Sequence, residues 1–174
     1  NLLGARLAIL GGGGITESFL SLIEPWGCDT TVVRRQADHV VGATRTVTTD
    51  ELDDVLGRVD AVIIALALTS QTRGIIDARR LQAMRNDAWL LNVGRGGHVV
   101  TDDLVNALRN NDIAGAVLDE AAEGAGSLRR PPHVTLRCPA EGHVADGVVH
   151  AHELVQRHAA LIAAALAGAA TPRP

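Results

Sequence analysis

The sequence predicts an α/β fold: a doubly wound parallel sheet with helices on both faces, in three αβα layers. Two observations lead there. Short apolar runs of strand length alternate with segments of helical periodicity along most of the 174 residues. The first run, Arg6 to Leu10, empties into four consecutive glycines, Gly11 to Gly14, and an amphipathic segment follows at once. With 47% hydrophobic and 21% charged residues the chain can bury a core, and its length suits one domain with a small extension.

The elements follow in order. Arg6 to Leu10 is a short apolar run ending in glycine, as a strand buried on both faces should be. Ile15, Phe19, Leu22 and Ile23 recur at helical spacing, and Pro25, Trp26 and Gly27 end that helix. Thr30 to Val33 is β-branched and makes the second strand. Thr49 opens a helix, with Asp50 and Glu51 near its positive end. Ala61 to Leu66 makes a third strand. Asp77 caps a helix over Ala78 to Met84, and Ala88 to Val93 is the next strand. Thr101, Asp102 and Asp103 cap a helix to Leu108. Ile113 to Leu118 and Val134 to Leu136 complete the strands. Residues 120–132 are rich in Gly, Arg and Pro and read as a loop. The expected organisation is a sheet domain over 1–143 and a closing helix in 144–174. Right-handed crossovers would put ligand sites at the carboxyl ends of the strands.

Composition excludes several classes. The net charge of -4 argues against a nucleic-acid or anionic-membrane partner. No apolar run reaches the roughly 18 residues of a membrane span, and no leader pattern is present, so a cytoplasmic location is expected. Cys28 and Cys138 stand alone, without the spacing of a redox or metal pair. All sixteen basic residues are Arg, so no lysine of this chain can act as a phosphate ligand or nucleophile. His143, His150, His152 and His158 cluster in the closing segment, but their spacing spreads them over different faces of a helix and predicts a solvated surface, with no metal site. Arg79 and Arg80 read as surface charges, and Trp26 and Trp89 as packing residues.

The glycine turn carries the chemistry. Gly11-Gly12-Gly13-Gly14-Ile15-Thr16 follows the G-x-G-x-x-G pattern of a Rossmann dinucleotide site, with Thr16 in the third position. Gly11 permits the tight turn. Gly13 lets the backbone approach a pyrophosphate, and the helix N-terminus at Gly14 and Ile15 favours the anion. Thr16 is expected to push the helix slightly outward. Where such sites select NAD(H), an acidic residue ends the second strand; here Arg34 and Arg35 stand there. Two guanidiniums would bind a 2′-phosphate, which favours NADP(H) over NAD(H).

Several segments then resemble, in order, the nucleotide-binding domain of the D-isomer-specific 2-hydroxyacid dehydrogenases. Leu68 to Ile76 (LTSQTRGII) resembles the family's "PLTPETRGLI", with Ala67 at the proline. Leu81 to Met84 and Ala88 to Gly97 (AWLLNVGRGG) resemble "LAAMKPGAVLINTARGG". Val100 to Leu108 and Ile113 to Asp119 continue in register. The resemblance implies that Arg95 binds the substrate carboxylate and polarises its carbonyl, and that Asp119 holds the nicotinamide carboxamide. Val93 and Gly94 would line the nicotinamide, and Ala67 and Thr72 would contribute to the cofactor site. It further implies a small 2-oxo or 2-hydroxy acid as substrate, a homodimer, and a substrate domain formed by sequence outside this chain.

The acid/base pair departs from the family pattern. The expected glutamate falls on Gly124 and the expected histidine on Pro139, which cannot transfer a proton. His143, four residues on, and Glu123 or Glu141 are the substitutes the sequence offers. The expected function is the NADP(H)-binding part of a 2-hydroxyacid dehydrogenase with a displaced acid/base. A non-catalytic dinucleotide sensor is the alternative.

Overall fold

The computed structural model describes residues 2–118 and the backbone of 134–136. Among the described residues the strands are β1 (Arg6–Leu10), β2 (Asp29–Arg34), β3 (Arg45–Thr48), β4 (Ala61–Ile64), β5 (Trp89–Asn92), β6 (Gly115–Leu118) and β7 (Val134–Leu136). All pairings are parallel, in the order β3-β2-β1-β4-β5-β6-β7. The chain winds outward from β1 to β3, returns to β4 beside β1, and winds the other way. The strand order therefore reverses between β1 and β4, the position where doubly wound sheets bind ligands.

Side-chain alternation sorts the core into two faces. Leu7, Ile9, Ile63, Leu91 and Val117 share one cluster with Phe19, Leu20 and Ile23 of helix α1 (Gly14–Ile23). Ala8, Leu10, Val62, Ile64 and Leu90 share the other. That cluster also holds the buried faces of α2 (Leu52–Leu56), α3 (Ala78–Ala83) and α4 (Thr101–Asn110). Fully buried side chains such as Leu7, Ile64 and Leu81 each contribute roughly 1.5–3 kcal/mol of hydrophobic stabilisation before ordering entropy is counted.

The caps explain the element ends. Asp77 accepts the Arg80 amide and starts α3, as expected. Pro25 and Trp26 form a single 3-10 turn after α1, and Gly27 stops it with a left-handed φ of 58°. The helix expected from Thr49 begins as a 3-10 turn, with Thr48 as its cap and the Glu51 carboxylate accepting the Thr48 N–H at 3.2 Å. It becomes α-helical only at Leu52.

Three sequence expectations are corrected. Arg45–Thr48 is a strand, so Ala61 to Leu66 contains the fourth strand, and that strand ends at Ile64. Leu66 instead contributes to the cleft described below. Arg79 and Arg80 are more than solvated charges: both pair with Asp53, tying α3 to α2, and Arg80 also donates to the Ile75 carbonyl at 2.7 Å. Hydrogen bonds from Arg79 and Arg80 hold the Asp53 carboxyl below the usual range. The closing segment 144–174 lies outside the described residues.

Asp60 locks the amino ends of three adjacent strands. Its carboxylate accepts the Arg6 amide at 2.9 Å and the Arg6 guanidinium at 2.6 Å, and its carbonyl accepts Trp89 N–H at 3.0 Å. Burial pushes the Asp60 carboxyl up, but the hydrogen bonds and charge of Arg6 outweigh it and hold the group below the usual carboxylate range. Asp60→Ala should lower stability by about 1–2 kcal/mol at neutral pH, discounted because both side chains are partly exposed. A depressed carboxylate stabilises above its unfolded pKa, and that stability is lost as pH falls through the folded value. Urea unfolding of the two proteins should therefore show a gap at about pH 7 that narrows toward about pH 3. A gap that held constant with pH would refute the ion-pair account.

Candidate functional site

A cleft of about 780 Å³ opens at the carboxyl ends of β1, β2 and β4, over the strand-order reversal. Its floor is Leu10 and the glycine turn. Gly11 holds that turn in place: its N–H donates to Val33 C=O at 2.8 Å, and Ala65 N–H donates to Leu10 C=O at 2.8 Å. The turn is thus tied to the strand ends on both sides. Gly11 adopts φ +111°, and a Cβ there would sit 2.5 Å from the Ala65 carbonyl oxygen, so only glycine fits.

Gly13 is the N-cap of α1 and carries no side-chain cap, and a Cβ on Gly13 or Gly14 would meet nothing within 4 Å. The first amides of α1 therefore start an open, uncapped helix end, the cradle an anionic pyrophosphate needs. Thr16 is buried, and its hydroxyl donates to Gly11 C=O at 2.7 Å. The residue in the third motif position thus finds its partner inside the turn and ties α1 back to the strand end.

Arg34 and Arg35 close the end of β2 and line the same cleft. The Arg34 stem lies over the turn: a Cβ on Gly12 would come 3.1 Å from its Cδ and 3.3 Å from its Nε. Neither guanidinium is in an ion pair among the described residues. Arg80 also lines the cleft but is held by Asp53, and Asp50 contributes a carboxylate to the rim.

The opposite wall is the loop after β4. Thr72 shapes it, donating to Ala67 C=O at 2.7 Å and accepting Thr69 N–H at 2.8 Å. Ala67 and Thr72 both line the cleft. Next to this wall, β5 ends in Asn92, Val93 and Gly94. Gly94 packs closely, since a Cβ there would lie 3.1 Å from Leu66 C=O and 3.0 Å from His98 Cε1. Arg95 follows with an exposed side chain on an extended backbone. Asn92, almost fully buried, braces this turn: its carbonyl oxygen accepts Gly94 N–H at 3.0 Å and its amide donates to Arg95 C=O at 2.8 Å. Gly74 N–H donates to Gly97 C=O at 2.8 Å, and Ile76 bridges Val99, so the Arg95 turn is stitched to the loop wall.

The structure thus brings Gly11, Gly13, Arg34, Arg35, Ala67 and Thr72 to one cleft. Gly14 and Ile15 lie in the first turn of α1, and Val93, Gly94 and Arg95 at the end of β5, beyond Leu66. Asp119, Glu123 and His143 lie outside the described residues. Sequence reasoning missed Asn92 and His98 as individual residues. Both are buried polar side chains, and no spacing rule marks either; only their position beside the Arg95 turn could have drawn attention to them.

Comparison with known proteins agrees with this geometry. Residues 1–145 match the family described as D-isomer specific 2-hydroxyacid dehydrogenase, NAD binding domain. An uncharacterised protein of Corynebacterium melassecola is 42% identical over 113 residues, 65% of this chain and 37% of that protein. A glyoxylate/hydroxypyruvate reductase A of Enterobacter sp. is 31% identical over 65% of this chain and 36% of its own length. Among solved structures, the NADPH-dependent glyoxylate/hydroxypyruvate reductase of Sinorhizobium meliloti is 25% identical with a TM-score of 0.71, covering 87% of this chain and 78% of that one. The chain spans little more than a third of the length of these curated relatives. With the cleft, the glycine turn and the matched span in agreement, the chain belongs to the D-isomer-specific 2-hydroxyacid dehydrogenase family and forms its NAD-binding domain.

Proposed function

We propose that this domain binds NADP(H) and serves as the cofactor half of an oxidoreductase acting on a small 2-oxo or 2-hydroxy acid. The observation that carries the cofactor choice is the pair Arg34 and Arg35 at the end of β2, lining the cleft where a carboxylate would otherwise hold a ribose hydroxyl. The residues present fit the dinucleotide: the open amides of α1 suit the pyrophosphate, and the Arg34 stem lies over the turn beside it. When bound, the nicotinamide supplies the hydride. Arg95 would hold the substrate carboxylate through paired N–H donors and draw charge from the carbonyl as it is reduced. Val93 and Gly94 would support the nicotinamide ring and Asp119 its carboxamide. His143, with Glu123, would supply the proton. The relatives named as glyoxylate/hydroxypyruvate reductases support a short 2-oxo acid as substrate. Family resemblance supports a homodimer.

Fluorescence titration tests the cofactor choice. NADPH should bind at least about tenfold more tightly than NADH, the equivalent of one charge-assisted contact. Arg34→Asp should abolish or reverse that preference. Equal dissociation constants in the unaltered chain would refute the NADP(H) assignment.

A further inference from the structure

We propose that His98 is a positioning residue for Arg95, acting through an imidazole whose Nδ1 accepts the Arg95 amide. The proposal rests on the reading of Arg95 as the carboxylate-binding residue. His98 is fully buried, 0% exposed, three residues beyond Arg95 and at the end of the 3-10 turn that follows it. Its Nδ1 lies 3.1 Å from Arg95 N and 2.8 Å from Arg95 O.

Donor and acceptor accounting favours the first of these two contacts. Arg95 C=O already accepts from the Asn92 side-chain amide at 2.8 Å and from His98 N–H at 3.1 Å, which occupies its two lone pairs. We assign Nδ1 as the acceptor for Arg95 N–H, which places the ring proton on Nε2. That nitrogen is buried and has no hydrogen-bond partner among the described residues. An unsatisfied buried donor is destabilising. A leucine would fill such a core position without that penalty, so a histidine here is accounted for by what Nδ1 does.

The Nδ1 contact fixes the root of a side chain whose tip is exposed. Asn92 grips the Arg95 carbonyl and His98 grips the Arg95 amide, so both peptide groups flanking the Arg95 Cα are held from the protein side. The ring also abuts Gly94, where a Cβ would come 3.0 Å from Cε1 and 3.2 Å from Nδ1. A guanidinium on an anchored backbone loses less freedom when it closes on a carboxylate, and small displacements of such a group are expensive in rate.

Two measurements test this. In the unaltered chain, long-range ¹H–¹⁵N correlation spectra should show His98 with Nδ1 bare and Nε2 protonated; the opposite tautomer overturns the proposal. The second compares two amides in the full natural polypeptide. His98→Asn carries an acceptor near the Nδ1 position, whereas His98→Gln carries its amide out to the Nε2 position and leaves Arg95 N–H unmatched. With NADPH and glyoxylate, His98→Gln should raise KM for the acid by about tenfold or more, and His98→Asn should stay within about threefold of the parent. The NADPH dissociation constant should be unchanged in both. Equal losses in the two variants, or loss of NADPH binding alongside turnover, would show a merely structural histidine. Arg95→Gln run in parallel separates the two ideas. If Arg95→Gln is inactive while His98→Gln is normal, the His98 proposal fails alone. If Arg95→Gln is fully active, both fail.

Discussion

Gly11→Ala should destabilise the chain by about 2–6 kcal/mol and abolish dinucleotide binding, through two separate penalties. The first is conformational: φ of +111° is strained for any residue with a Cβ. The second is steric: the methyl would meet the Ala65 carbonyl oxygen at 2.5 Å and its carbon at 2.9 Å. Those atoms belong to the backbone leaving β4, which the Ala65–Leu10 hydrogen bond and the Leu10–Ile64 register hold in place. The methyl would therefore wedge β1 from β4 at the point where the cleft opens. Gly13→Ala is the control. Its φ of -97° suits alanine and a Cβ there meets nothing, so it should fold normally and lose affinity only by crowding the cofactor. Urea unfolding with NADPH titration distinguishes them; parental stability in Gly11→Ala would refute the steric account.

Arg95→Gln should reduce kcat/KM of the full natural polypeptide for a 2-oxo acid by about 10²–10³, the size of effect seen when one group aimed at developing charge is removed. The NADPH dissociation constant should not change, because Arg95 lies beyond the end of β5 and does not line the main cleft. Arg95→Lys should recover only part of the loss, since an ammonium keeps the charge without the paired donors of a guanidinium. A glutamine variant with parental kcat/KM would remove Arg95 from the mechanism and with it the assignment of substrate class.

How far the sequence revealed this fold depended on how strong each local pattern was. β1 and β4 through β6 are apolar runs ending in turns, and burial on both faces leaves such runs few alternatives. β3 escaped notice because it is a four-residue edge strand in which only Val47 is buried, so hydrophobicity hardly marks it. Its placement comes from tertiary pairing with β2 and from the reciprocal Thr30 and Thr44 hydrogen bonds that lead into it. The cleft around the glycine turn was legible because its parts are local: glycines, a strand end and a helix start adjoin in sequence. The bracing of Arg95 by Asn92 and His98 was not, because it depends on which lone pairs remain free after the turn has folded. Asp53 likewise gave no signal, since its partners Arg79 and Arg80 are about two dozen residues away and meet it only when α2 and α3 pack.

The ion pairs that join these elements have one further property. Each cation in the ion pairs among the described residues, on Arg6, Arg79, Arg80 and, in a local pair with Asp87, Arg85, is a guanidinium. Pairing with Asp60, Asp53 and Asp87 raises Arg6, Arg79 and Arg85 further above their already high ordinary value. Stability from a raised base is complete below its unfolded pKa and disappears only as pH climbs through the folded one. Ammonium bridges would begin to release near pH ~10.4, whereas the raised guanidiniums of Arg6 and Arg79 hold to higher pH. The clamps on the sheet's amino edge and between α2 and α3 are therefore alkali-tolerant. They are also invisible to reagents that acylate or glycate lysine, because the chain contains none.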